Sequence, residues 1–100
     1  MEQGIAHMSD KIRKHIIFHG RVQGVGFRWH ATNFANSAGL TGWVQNLEDG
    51  TVEMEVQGSD EKIDSLITYL ENRDYVLIEK MDCKSLPLEN NEWEFRERGW

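Results

Sequence analysis

Residues 42–57, GWVQNLEDGTVEMEVQ, are typical of a β-hairpin. Asp49-Gly50 marks the turn, because glycine accepts the positive φ that tight turns require. In the arm that follows, polar residues alternate with three apolar ones, Val52, Met54 and Val56. Successive residues of a strand point to opposite faces of the sheet, so this arm has one buried and one exposed face. The hairpin therefore predicts an antiparallel sheet with one face covered by other elements.

A helix is predicted on each side of this hairpin. Before it, apolar residues recur at helical spacing over residues 27–38, and Gly39 supplies a C-terminal stop. After it, Ser59 can cap a second helix, with Asp60 and Glu61 favourably near its positive N-terminus. The apolar stripe of this second helix is formed by Ile63, Leu66, Ile67 and Leu70. Both helices thus have a face to bury against the sheet.

Further strands are predicted outside the two helices. Residues 14–19 put Ile16 and Phe18 on one face, and residues 75–86 are rich in Val, Leu and Ile. After a turn at Pro87, residues 93–95 begin a short last strand. This order predicts an α+β fold, the ferredoxin-like βαββαβ sandwich, with two helices on one face of a four- to five-stranded antiparallel sheet. Such sandwiches serve many functions, so the fold alone decides none.

The composition limits the possible partners and compartment. With 17 acidic and 11 basic residues, the net charge of −6 argues against nucleic acid as a partner. The only cysteine, Cys83, indicates a reducing compartment and is predicted to be a small buried hydrophobe. No stretch approaches the roughly 20 apolar residues of a membrane span, so we expect a soluble, cytoplasmic protein. Residues 11–100 are expected to form a single domain, and residues 1–10 an extension or cloning remnant.

The stretch GRVQGVGFR, residues 20–28, joins the first strand to the first helix. Gly24 and Gly26 permit positive φ and leave backbone N–H groups open to a ligand. The helix that follows begins with unpaired N–H groups and a partial positive charge, and Arg28 adds a permanently charged fork suited to phosphate. These features predict an anion-binding loop. A plain strand-to-helix turn would need the same glycines, so the residues alone leave both interpretations open.

Two long motifs resemble the signatures of the acylphosphatase family. GRVQGVGFR is similar to the first signature nearly residue for residue. The second signature, Gly-aromatic-small-x-Asn-x3-Gly-x-Val-x5-Gly, is matched by residues 42–46, then by Gly50 and Val52, and finally by Gly58. The resemblance extends over roughly residues 13–97, and the family has the same βαββαβ sandwich.

The resemblance implies hydrolysis of the mixed anhydride between a carboxylate and phosphate. Asn46 would hold the attacking water, and the Arg28 side chain would bind the phosphoryl group. The backbone N–H groups that wrap this group would be those of Gln23, Gly24, Val25, Gly26, Phe27 and Arg28. No cofactor and no metal are expected. A small-molecule acyl phosphate and inorganic phosphate, as product or competitive ligand, would be the partners of a monomer that binds neither nucleic acid nor membrane.

Two departures from the family pattern concern the rim of the site. Gln45 stands where many members have Lys, and the connection over residues 72–75 lacks the customary Gly-Pro turn. Neither departure touches Arg28 or Asn46. They leave open the range of substrates and the shape of that connection.

Three other functions compete with the enzyme. A non-catalytic sensor could use the same loop to hold a small anion, and the presence of Asn46 favours the enzyme over it. A ferredoxin-like RNA-binding module would need basic and aromatic residues on the exposed face of the sheet, and their pattern is absent. A fragment of a larger carbamoyl-transfer protein is disfavoured on the expectation that the chain is complete at Trp100.

Overall fold

The computed structural model describes residues 10–99, and most of the predicted extension lies outside them. These residues form five strands and two helices, which follow one another in the predicted order. They are β1 (Lys11–Arg21), α1 (Phe27–Ser37), β2 (Thr41–Asn46), β3 (Val52–Ser59), α2 (Asp60–Glu71), β4 (Leu77–Leu86) and β5 (Phe95–Arg98). The ferredoxin-like sandwich, with two helices packed on a five-stranded sheet, is therefore confirmed.

The sheet is mixed, whereas the sequence predicted a wholly antiparallel one. Its strand order is β4-β1-β3-β2-β5, and all neighbours are antiparallel except β2 and β5, which run parallel. The reason is where β4 ends. Leu86 pairs with Arg13 near the start of β1, and the chain crosses that end of the sheet before it enters β5 beside β2. A strand that enters from this end must run in the same direction as β2.

The core lies between the helices and the buried face of the sheet. Alternate β1 residues, Ile16 and Phe18, are fully buried, as the sequence predicted. The ring of Phe18 meets the ring of Phe27, the first residue of α1, edge to face at 5.0 Å between centroids. Aromatic pairs of this geometry stabilise beyond their buried area by about 0.5–1.5 kcal/mol. This contact fixes the start of α1 over the end of β1.

Strand direction brings two distant loops to the same end of the sheet. Both β1 and β2 are antiparallel to β3, and Phe18 and Asn46 each pair with Val52 at its start. The segment after β1 and the turn after β2 therefore leave the sheet together. We call this end of the sheet the Asn46 end.

Local predictions near the C-terminal half needed correction. The fourth strand begins at Leu77 and not at residue 75, because Tyr75 has a φ of +72°, which no strand accommodates. Trp93 precedes the last strand and is 84% exposed. Cys83 is exposed, so the prediction of a buried residue was wrong. It lies on β4, an edge strand most of whose residues are exposed.

Candidate active site

The glycine-rich loop between β1 and α1 has the backbone conformation that its sequence predicts. Gly24 has a φ of +73° and Gly26 a φ of +79°, values that side chains with a Cβ rarely adopt. Gly26 is the N-cap of α1, and no side chain of the described residues caps the helix there. The His30 N–H donates to the Gly26 carbonyl at 2.9 Å and closes the first helical turn. The loop is thus a sharp bend that opens directly into a helix N-terminus.

The backbone N–H groups of this loop are free within the described part of the chain. Those of residues 23–29 donate to no backbone carbonyl within residues 10–99. Gly24 and Gly26 are exposed, and a Cβ added at Gly24 would meet no atom within 4 Å. Seven successive donors at the positive end of a helix form a surface that suits an anion.

The side chain of Gln23 joins this loop to the turn after β2. Its Nε2 donates to the Leu47 carbonyl and to the Thr51 carbonyl, each at 2.8 Å. Leu47 follows Asn46 directly in the chain. The two motifs, which residues 29–41 separate in the sequence, are therefore in direct contact.

Arg28 lies in the first turn of α1 and is half-buried. Its Nη1 donates to the Arg98 carbonyl at the end of β5, at 3.2 Å. The Arg98 guanidinium stacks 4.1 Å from the centroid of the Trp43 ring on β2. Sequence reasoning missed Arg98, because its position depends on the parallel pairing of β5 with β2 and no local pattern signals that pairing.

Asn46 is the last residue of β2 and is half-buried. The neighbouring Gln45 donates to Glu53 Oε1 at 2.7 Å, and His15 Nε2 lies 2.8 Å from Glu53 Oε2. Burial raises the pKa of Glu53, but the hydrogen bonds from His15 and Gln45 outweigh it and hold that pKa below its usual range. This polar row lies on the exposed face of the sheet, whereas Asn46 pairs with the buried Val52 and belongs to the opposite face.

His30 borders the loop from the helix side. A Cβ added at Gly26 would lie 3.5 Å from His30 Cδ2, and the His30 ring packs edge to face on Trp29 at 5.2 Å. Its Nδ1 is buried without a hydrogen-bond partner among the described residues. These contacts give His30 a packing role at the rim of the site.

Residues 10–99 contain neither a cluster of metal-binding side chains nor a membrane-spanning helix. No group of three or more His, Cys, Asp or Glu side chains in that range is arranged to hold a metal ion. No helix formed by these residues is long and apolar enough to cross a membrane. At the Asn46 end, the described residues offer backbone N–H donors, the Arg28 guanidinium and the carboxamides of Gln23 and Asn46.

Comparison with known proteins gives consistent matches. The acylphosphatase family model matches residues 14–96. An acylphosphatase of Picrophilus torridus is 44% identical over 80 residues, which are 80% of this chain and 96% of that protein. An acylphosphatase of Thermococcus kodakarensis is 49% identical over 57 residues, 57% of this chain, but the match spans only 63% of that relative's length. The crystal structure of an acylphosphatase from Bacillus subtilis superposes with a TM-score of 0.80 at 28% identity, covering 88% of this chain and 99% of that one.

Proposed function

The chain belongs to the acylphosphatase family and is a hydrolase acting on acid anhydrides, and from this membership we propose how its site hydrolyses an acyl phosphate. The phosphoryl group binds to the backbone N–H groups of residues 23–28 and to Arg28. A water held by Asn46 attacks the phosphorus, and the carboxylate leaves. The observation that carries the proposal is the row of N–H groups that have no backbone partner within residues 10–99, joined through Gln23 to the residue after Asn46.

The phosphate site draws its positive potential from the backbone. The chain has a net charge of −6, so long-range attraction does not favour an anion. At the N-terminus of α1, unpaired N–H groups and the helix dipole act at short range, and the helix dipole there is equivalent to about half a positive charge. Arg28 has five N–H donors and uses one on the Arg98 carbonyl, which leaves the others for a phosphate oxygen.

Asn46 orients the water and does not deprotonate it. A carboxamide carries no titratable proton, but its oxygen accepts hydrogen bonds and its NH₂ can donate two. A carboxylate is a good leaving group, so correct positioning and charge stabilisation suffice without a covalent intermediate. The proton of the attacking water passes to an oxygen of the substrate phosphate. These steps use protein groups, the substrate and one water molecule.

The partners follow from the same chemistry. A small-molecule acyl phosphate is the substrate, and inorganic phosphate binds as product or competitive ligand. A monomeric state and a cytoplasmic location stay predictions, as does the single domain over residues 11–100. Gel filtration at several protein concentrations tests whether the protein is monomeric.

The test is hydrolysis of benzoyl phosphate in the presence of EDTA, with inorganic phosphate as a competitive inhibitor. Asn46→Ala should remove nearly all turnover and leave phosphate binding largely intact, because Asn46 contacts the water alone. Arg28→Ala should weaken phosphate binding by roughly 10- to 100-fold, the expected loss of a charge-assisted hydrogen bond. Two exposed residues at the opposite end of the sheet provide matched controls, Asn91→Ala for the carboxamide and Lys62→Ala for the positive charge.

The results distinguish an enzyme from a non-catalytic anion sensor. Both controls should retain wild-type kinetics. Phosphate binding without any turnover by the wild type would indicate an anion sensor. Wild-type turnover in both the Arg28 and the Asn46 variant would refute the roles proposed for these residues.

A further inference from the structure

The carboxamide of Gln23 occupies an unusual place for a loop side chain. It leaves the glycine-rich loop between β1 and α1 and enters the turn between β2 and β3. Both N–H groups of its Nε2 are used, on the carbonyls of Leu47 and Thr51, each at 2.8 Å. A single side chain thus spans two loops that are far apart in sequence.

The two carbonyls belong to residues that also close the turn themselves. The Leu47 N–H donates to the Thr51 carbonyl at 2.9 Å, and the Gly50 N–H donates to the Leu47 carbonyl at 3.2 Å. Thr51 is buried, and its hydroxyl and N–H both donate to Asp49. The turn is therefore well fixed internally, and Gln23 binds to a rigid frame.

Building on the proposed function, we propose that the Gln23 side chain is a positioning residue that sets the distance between the phosphate-binding loop and Asn46. Since β1 and β2 are separated by β3 in the sheet, no ladder of hydrogen bonds connects these two loops directly. Gln23 supplies the missing connection.

A carboxamide is the side chain that fits this place. Two carbonyl oxygens require two donors from one group, and the NH₂ of glutamine supplies them without charge. Methionine has a similar length and no donor. Glutamate would turn two acceptors toward two acceptors unless it took up a proton.

The test is to measure two quantities in Gln23→Met, kcat for benzoyl phosphate and the inhibition constant of inorganic phosphate. Misplacing reacting atoms by about 1 Å can lower a rate 100-fold, so we expect kcat for benzoyl phosphate to fall roughly 10- to 100-fold. Inhibition by inorganic phosphate should change little, because the backbone donors and Arg28 remain. In Gln23→Glu, kcat relative to wild type should rise as the pH falls, because the protonated carboxyl regains one donor.

Gln57 provides the matched control at the opposite end of the sheet. It is buried, and its side chain exchanges two hydrogen bonds with the Glu89 backbone, at 3.0 and 2.8 Å. Gln57→Met should lower stability, measured by urea unfolding, and leave kcat unchanged well below the unfolding transition. If Gln23→Met gave the same pattern, its role would be structural and the proposal would fail.

A double-mutant cycle links Gln23 to the water. If Gln23 acts through Asn46, adding Gln23→Met to Asn46→Ala should lower the residual rate far less than it lowers the wild-type rate. Independent, multiplying effects would contradict the proposal. Absence of turnover in the wild type would refute the proposed function itself, and with it the role of Gln23. If Asn46→Ala lost turnover and Gln23→Met kept the wild-type rate, only the proposed role of Gln23 would be refuted.

Discussion

Replacing Gly24 by alanine tests whether the loop conformation serves anion binding. Gly24 has a φ of +73°, and an added Cβ would meet no atom within 4 Å. The substitution therefore introduces backbone strain without a steric clash. For a residue with a Cβ, the left-handed conformation costs about 1–2 kcal/mol.

How that strain divides between folding and binding depends on what holds the loop. The N–H groups of the loop have no backbone partners within residues 10–99, so an empty loop can relax to negative φ and avoid most of the strain. Phosphate then has to restore the strained conformation. If about 1 kcal/mol is transferred to binding, the inhibition constant of phosphate rises about fivefold, since 1.4 kcal/mol corresponds to tenfold.

Gly39 is a close control. Its φ is +76°, an added Cβ would also meet nothing within 4 Å, and it follows the other end of α1. Its N–H donates to the Asn36 carbonyl at 3.2 Å, which fixes its conformation independently of any ligand. Gly39→Ala should therefore lose about 1 kcal/mol of unfolding free energy and keep its affinity for phosphate.

The assays are urea unfolding with and without phosphate, and competitive inhibition of benzoyl phosphate hydrolysis. Without phosphate, Gly24→Ala should lose less unfolding free energy than Gly39→Ala. Added phosphate should then stabilise Gly24→Ala less than it stabilises Gly39→Ala. Equal phosphate affinity in the two variants would refute the reasoning, because it would show that the conformation at Gly24 does not contribute to the anion site.

Two further predictions concern stability. Tyr75 is 77% exposed with a φ of +72°, so Tyr75→Gly should raise the unfolding free energy by about 0.5–1 kcal/mol, measured by urea titration; a loss would mean that the side chain makes a stabilising contact. Because the pKa of Glu53 is lowered in the native state, its contribution is present at neutral pH and is lost as the pH falls below about 4. Glu53→Gln should therefore show a shallower loss of stability in acid than wild type, and parallel unfolding curves from pH 7 to strongly acidic pH would contradict this linkage.

The sequence predicted those elements whose signals are local. The hairpin around Gly50 and both helices follow from period-2 and period-3.6 patterns that neighbouring residues alone produce. Edge strands carry weaker signals. In β4 most side chains are exposed, so alternation is ragged, and this is why the burial of Cys83 was predicted wrongly.

The features of the candidate site also fall into those that local sequence determined and those that the tertiary structure determined. By itself, the sequence determined that a flexible, glycine-rich loop leads into a helix and that Arg28 and Asn46 stand in two family signatures, since these are properties of short segments. Only the tertiary structure decided that β5 runs parallel to β2, that the Arg98 carbonyl meets Arg28, and that the Gln23 carboxamide reaches the turn after Asn46. Strand order and register determine these contacts, and both are set by the burial of one face of the whole sheet, which no single segment encodes.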